Sequence, residues 1–319
     1  MDPKQYKKQL QGQLKQLAQR RARAVAFRDS DASEGRRMEA LQALGPLERA
    51  DDTAAALKLA QSSGGSLKLR TAAIKKLGVA LSHDPDALKL LLRLLADANE
   101  PVAVRSAALS ALKVASFHVS TFNAERPAFI AALRKAAQSD DADLRRRSLA
   151  ALTREKDAPT QKKLIVGLKS GDQSLLPADK ALLFLSYDAK LDLSELLHDI
   201  LRKPPSEAAR LQALRMLATD PDAKASFEKL LKNKRESTEA RLIALGALHN
   251  LEPKKLQKQA IRIVGDDSED DDVREACMAW VSTFGEDSPA LAASASKLLE
   301  SAGSASARKT ARHYLAKRR

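Results

Sequence analysis

The sequence predicts an all-α protein, an α–α superhelix (solenoid) of about nine two-helix repeats. Three observations carry this. An arginine-anchored helical pattern recurs from near one end of the chain to the other. Prolines and helix-capping residues fall between the periodic segments rather than inside them. Helix breakers are scarce: 12 Gly and 12 Pro make 24 of 319 residues, where ordinary usage gives about 12%. A sandwich or barrel would need turns every ~8–12 residues and β-branched runs, and neither is present.

The elements follow in order. Residues 4–26 read as one helix with Tyr6, Leu10, Leu14 and Leu17 on a shared stripe, expected to dock on the first repeat as a cap. Then the repeat begins: Arg, a small residue at +3, an apolar residue at +4 and another at +7. These positions share one face at 3.6 residues per turn. The copies are Arg37-Ala40-Leu41-Leu44, Arg70-Ala73-Ile74-Leu77, Arg105-Ala108-Leu109-Leu112 and Arg145-Ser148-Leu149-Leu152. Arg210-Ala213-Leu214-Leu217, Arg241-Ala244-Leu245-Leu248, Arg274-Cys277-Met278-Val281 and Arg308-Ala311-Arg312-Leu315 follow. A ninth copy, Ala178-Ala181-Leu182-Leu185, lacks the Arg.

A second apolar segment of helical spacing lies between copies, as in 87–95, 193–201, 227–231 and 256–264. Pro85, Pro101, Pro127, Pro159, Pro177, Pro204, Pro205, Pro221, Pro253 and Pro289 punctuate the joints, where a missing N–H does no harm. Asp84, Asp140-Asp141, Asp220 and Asp287-Ser288 stand at the same joints as capping residues. Two places break the rhythm. Ser116–Arg126 lengthens one step and brings Phe117 and Phe122, with Phe129 just beyond; a loop packed over the array is expected. The Arg-less copy at Ala178 is expected to alter local packing.

The period and the D…VR..A…L signatures resemble the HEAT-like repeat family, in its short, phycobilisome-lyase-type form. The residues that carry the likeness are Asp97…Val104-Arg105…Ala108…Leu112, Asp140…Leu144-Arg145…Leu149…Leu152 and Asp267…Val273-Arg274…Cys277…Val281. The likeness covers roughly residues 31–319. It implies that each anchoring Arg ties successive units together by lying against an acidic loop residue. It also implies that the second helix of each repeat lines a concave groove. The expected organisation is one continuous domain: a basic N-terminal capping helix (1–30), the repeat array (31–306) and a basic C-terminal capping helix (307–319).

The formal charge of +14 sits at the ends. Residues 1–28 carry eight Lys/Arg against Asp2, and residues 308–319 carry six against none, so the body is nearly neutral. A lone Cys277 excludes an internal disulfide and suits a reducing compartment. No run of 18 apolar residues occurs, so no membrane partner is expected and a cytoplasmic location is. His83, His118, His198, His249 and His313 form no HExxH or HxH pair, and no phosphate loop or nucleophile elbow is present. No enzyme activity, cofactor, metal or small-molecule substrate is therefore expected. The acidic run 266–272 lacks the 12-residue calcium-loop pattern and reads as an over-acidic inter-helix loop.

Counting from each Arg, positions +1 and +5 should be exposed in the groove, with +8 and +9 at its rim. That selects Lys75, Lys113, Arg146 and Arg154 as a basic stretch and Leu183, Leu211 and Leu242 as an apolar one, with Arg215 between them. The expected function is a non-catalytic scaffold whose groove binds an extended or helical segment of a partner protein. The alternative is a nucleic-acid-binding solenoid that contacts phosphates through its basic ends and groove Lys/Arg.

Overall fold

A computed structural model describes residues 3–47, 49–82, 84–117 and 122–318. The chain is all-α: 75% helical, with 18 helices and no strand among the described residues. In order these are α1 Pro3–Arg28, α2 Glu34–Ala43, α3 Ala50–Gln61, α4 Leu67–Lys76, α5 Pro85–Ala96 and α6 Val102–Ala115. Then come α7 Arg126–Ala136, α8 Ala142–Arg154, α9 Ala158–Ser170, α10 Ala178–Leu185, α11 Ser194–Arg202 and α12 Glu207–Met216. The last six are α13 Lys224–Lys232, α14 Thr238–Leu251, α15 Pro253–Val264, α16 Asp271–Phe284, α17 Pro289–Ser301 and α18 Ala305–Lys317. All nine anchor positions fall on the even-numbered helices.

The chain divides into two compact units, Met1–Thr160 and Gln161–Arg319. In the first, α1 packs on α2, α3 on α4, α5 on α6 and α7 on α8. Between these pairs α2 meets α4, α4 meets α6, α6 meets α8, and α5 meets α7. The second unit repeats the scheme. Its pairs are α11 with α12, α13 with α14, α15 with α16 and α17 with α18; α10, α12, α14 and α16 each meet the next even helix. Each unit is therefore a stack of helical hairpins, odd helices in one layer and even helices in the other.

Three residue positions explain why each hairpin closes. The first is four residues before the Arg. Ser33, Ser66, Asp141, Ser206, Ser237, Asp270 and Ser304 stand there, and each side chain accepts a backbone N–H from the first turn of its helix. Such a cap is worth about 1 kcal/mol. The second is the small residue at +3, buried in all nine copies (Ala40, Ala73, Ala108, Ser148, Ala181, Ala213, Ala244, Cys277, Ala311). The third is the Arg itself. Its Nε donates to the carbonyl ten residues back, at the C-terminal end of the preceding helix: Arg37 to Phe27, Arg70 to Ala60, Arg105 to Leu95, Arg241 to Leu231 and Arg274 to Val264, all at 2.9–3.2 Å. This supplies a donor to a helix end that has none of its own.

The guanidinium then reaches forward. Arg70 grips Glu100 at 2.7 and 2.8 Å, Arg210 reaches Glu236 at 2.7 Å, Arg241 lies 2.7 Å from Glu269, and Arg274 donates to Ser301 at 2.8 Å. Arg70, Arg105, Arg241 and Arg274 are buried. Arg145 and Arg308 bind loop carbonyls instead, at Ser139 and Asp140 and at Ala302 and Gly303. The row is a set of internal ties: Arg70, Arg210 and Arg241 meet an acidic loop residue, as the resemblance implies, whereas Arg145 and Arg308 do not.

The Arg-less copy has a local cause. The cap of α10 is Pro177, one residue before Ala178 rather than four. The helix lacks its first turn, and the Gln173 side chain accepts the Ala178 N–H at 3.2 Å. Ala178, Ala181, Leu182, Phe184 and Leu185 are still buried, so the core register survives without the tie. In the lengthened step, Phe122 and Phe129 are buried edge-to-face, 5.1 Å between ring centroids, while Phe117 is 83% exposed. Residues 118–121, and with them His118, lie outside the described residues, as does His83.

One expectation fails. The stripe on α1 does not dock on the first repeat. Leu10, Leu14 and Leu17 are 42%, 57% and 53% exposed. Among the described side chains of α1, Ala24 and Phe27 are the buried ones. At 1.5 Å per residue α1 outruns its 10-residue partner α2 by more than four turns, which leaves the leucines exposed; Leu17 borders a groove that Arg49 and Asp52 also line. The Tyr6 side chain is outside the described set.

Candidate interaction faces

In the first unit the outer face of the even helices carries converging cations. Lys113 on α6 is half-buried. Burial lowers its pKa, and the nearby Arg154 and Arg147 of α8 lower it further. Arg147 donates to Ser110 of α6 at 2.7 Å and sits 3.7 Å from Asp143. Arg146 is exposed and paired with Asp143 at 2.6 Å. Lys75 is exposed on α4. The structure thus brings Lys113 and Arg154 together, as the +8 and +9 positions predict, and adds Arg147, at +2. Counting +1 and +5 alone passes over that position; a third consecutive Arg in Arg145-Arg146-Arg147 was the available signal.

In the second unit the apolar stretch is smaller than predicted. Leu242 is 37% exposed, Leu183 is half-buried, and Leu211 is buried at 8%. Leu211 is a correction: it sits where α12 packs closely between α10 and α14, and its +1 place turns inward there. Arg215 is exposed and ion-paired with Glu239 of α14. The sequence reading missed an aromatic group on α14 and α16. Trp280 Nε1 donates to His249 Nδ1 at 2.9 Å, and Phe284, 62% exposed, stands 4.6 Å from the His249 ring. A spacing of 280 and 284, one turn apart, was the signal.

The odd helices carry open grooves, among them one of about 500 Å³ at the base of α1, lined by Leu17, Arg21, Arg49 and Asp52. One of about 610 Å³ in the first unit is apolar, lined by Leu47, Ala54, Leu57 and Val79, with Asp84 at its edge. One of about 430 Å³ in the second unit is basic, lined by Lys232, Lys255, Lys258 and Arg262 among others.

Titratable groups elsewhere serve the scaffold. Burial pushes the Asp157 carboxyl up, but Arg134 together with the hydroxyl and N–H of Thr160 outweighs it, and its pKa falls below the ordinary value. Asp220 is likewise lowered despite burial, by the Asp222 N–H, Ser194 and His198. Ser194 donates to Asp220 at 2.9 Å, and His198 faces the same carboxylate oxygen at 3.3 Å. The serine proton is thus committed to the carboxylate rather than to a base, and the trio ties α11 to the next loop. Burial pushes the Cys277 thiol up to about 12, which keeps it protonated and unreactive. In the acidic run, Asp266 binds Lys234 and Ser268, Glu269 pairs with Arg241, Asp270 caps α16, and Asp271 binds Arg274 and the Ser304 N–H. Among the described residues no group of three or more His, Cys, Asp or Glu is placed to hold a metal ion, and no described helix is long and apolar enough to cross a membrane. No protein-family model matches the chain, and no curated protein matches it.

Proposed function

We infer that this chain is a non-catalytic scaffold of HEAT-like repeats, in the manner of the short repeat family its signatures resemble. It binds an extended or helical segment of a cytoplasmic partner protein, and in the first unit the outer face of the even helices receives it. The observation that carries this is the Lys113, Arg147, Arg154 group. Lys113 stands beside Arg147 and Arg154, with the Asp143 carboxylate next to Arg147, and this local excess of positive charge favours an anionic partner. The segment it receives is acidic. In the second unit, Leu242 and the Trp280–Phe284 group form a separate surface with apolar and aromatic anchors of the kind that dominate binding energy.

The test is purification of partners with wild type and with Lys113→Glu/Arg154→Glu, each with and without nuclease. A protein retained by wild type, lost by the double variant and unaffected by nuclease supports the reading. A second reading, nucleic-acid binding, is favoured by the eight cations and absence of acid in α1. Such binding would be backbone-directed and would fall steeply with salt. Retention that disappears with nuclease would replace the first reading with the second.

A further inference from the structure

The most anomalous surface lies on α1. From Gln5 to Gln19 every described side chain is exposed. Three of them are leucines spaced i, i+4, i+7, and all three are more than 40% exposed. Lys7 lies three residues before Leu10 and Arg21 four residues after Leu17, so both continue the same seam. The face reads Lys7, Leu10, Leu14, Leu17, Arg21 over about 21 Å of helix. The whole of α1 holds eight Lys/Arg and no Asp or Glu, and its first turn has no acid to favour the helix dipole. Gly12 sits mid-way along the exposed part. Four turns of helix with a central Gly and every described side chain exposed gain little stability of their own. The base of the helix, by contrast, is firmly held: Arg23 donates to the Ala43 carbonyl at 3.2 Å, Arg28 pairs with Asp51 at 3.0 Å, and Phe27 is fully buried.

We propose that α1 is a docking arm for a helix of a partner protein, one with apolar residues at three seam positions and acidic residues one turn beyond at each end. The seam's width decides between occupants. Two positions in seven is the seam of a helix pair. A helix that lies on a membrane has a wide apolar face, usually with Trp or Phe; here Gln9, Gln11, Gln13 and Gln16 crowd the stripe on both sides. Nucleic acid satisfies the cations but leaves the leucines in water. A second copy of α1 brings eight positive charges against eight.

The test uses the full chain and a labelled 21-residue helical peptide with Leu at the three seam positions and Glu at the flanking ones. Fluorescence anisotropy at low salt should show binding. Each Leu→Gln change at 10, 14 or 17 should weaken it on the order of tenfold. Lys7→Glu/Arg21→Glu should abolish binding and create binding to the same peptide with Lys in place of Glu. The leucines are already exposed, so thermal melting should not change; should a Leu variant melt early, the charge swap carries the test alone. The proposal is overturned if the peptide does not bind, or if the swap leaves specificity unchanged. It is also overturned if anionic vesicles or duplex RNA bind with the same dependence on the leucines, or if the chain alone dimerises through them.

Discussion

Replacing Arg241 by Met should remove about 3–5 kcal/mol from the stability of the second unit. In wild type, Nε and Nη2 donate to the Leu231 carbonyl at 3.1 and 3.0 Å, and Nη1 lies 2.7 Å from Glu269. The Arg and Glu side chains are 2% and 5% exposed, so water does not replace what is lost. An abandoned buried carbonyl costs about 1–3 kcal/mol. Neutralising a glutamate of ordinary pKa at pH 7 costs about 3.7 kcal/mol, which caps the penalty for a stranded carboxylate. Together these fall in the range of about 3–5 kcal/mol known for breaking one side of a buried pair. Trp280, the chain's single tryptophan, is buried on α16 beside α14 and reports this unit by fluorescence during urea unfolding. Arg241→Met/Glu269→Met should recover about 2–3 kcal/mol of the loss, because the charge is then no longer stranded. A cost under about 1 kcal/mol for the single change, or a double variant no better than it, would refute the role of the tie.

Three further outcomes follow from the same structure. The Asp157 carboxyl titrates below the ordinary 3.8, so its contribution is full above that value and is lost as pH falls through the folded pKa. Asp157→Ala should cost about 1–2 kcal/mol at pH 7, with the gap to wild type closing at strongly acid pH in urea unfolding followed by circular dichroism. Lys156 holds φ at 55° just past α8, with the Asp157 N–H donating to the Leu152 carbonyl at 3.0 Å; this is a glycine position. Lys156→Gly should stabilise by about 0.5–1 kcal/mol, and a lower melting temperature would count against that account. Arg154→Ala should raise the Lys113 pKa towards 10.5, seen as slower competitive acetylation of that amine at fixed pH; an unchanged rate would place the arginine elsewhere.

The repeat was legible because its positions do the same work in every copy. Arg, a small residue at +3 and apolar residues at +4 and +7 are each fixed by a short-range constraint: a helix end, a close approach, a buried face. The capping position at −4 was equally regular, but Ser, Asp and Pro share it, so it does not stand out as one letter. The groove was read less well. Exposure at +1 depends on how tightly neighbouring even helices approach, which differs between Leu211 and Leu242 and is a property of packing rather than of either residue. The leucine stripe on α1 illustrates the converse. Periodicity identifies an apolar face, and length decides whether anything stands opposite it. A 26-residue helix paired with a 10-residue one leaves its far turns alone.

Five of the arginines reach ten residues backward, Arg145 and Arg308 reach five or six, and those that meet the next hairpin reach 26 to 30 forward. None of these spans needs a distant part of the chain. Contacts so local favour rapid folding that starts at any hairpin and spreads to its neighbours. They also give synthesis a built-in timing. A hairpin emerging from the ribosome can set its backward bond at once, but its guanidinium waits for the next loop, a delay of about 30 residues or a few seconds at ordinary synthesis rates. The array would be sealed one hairpin behind the growing end.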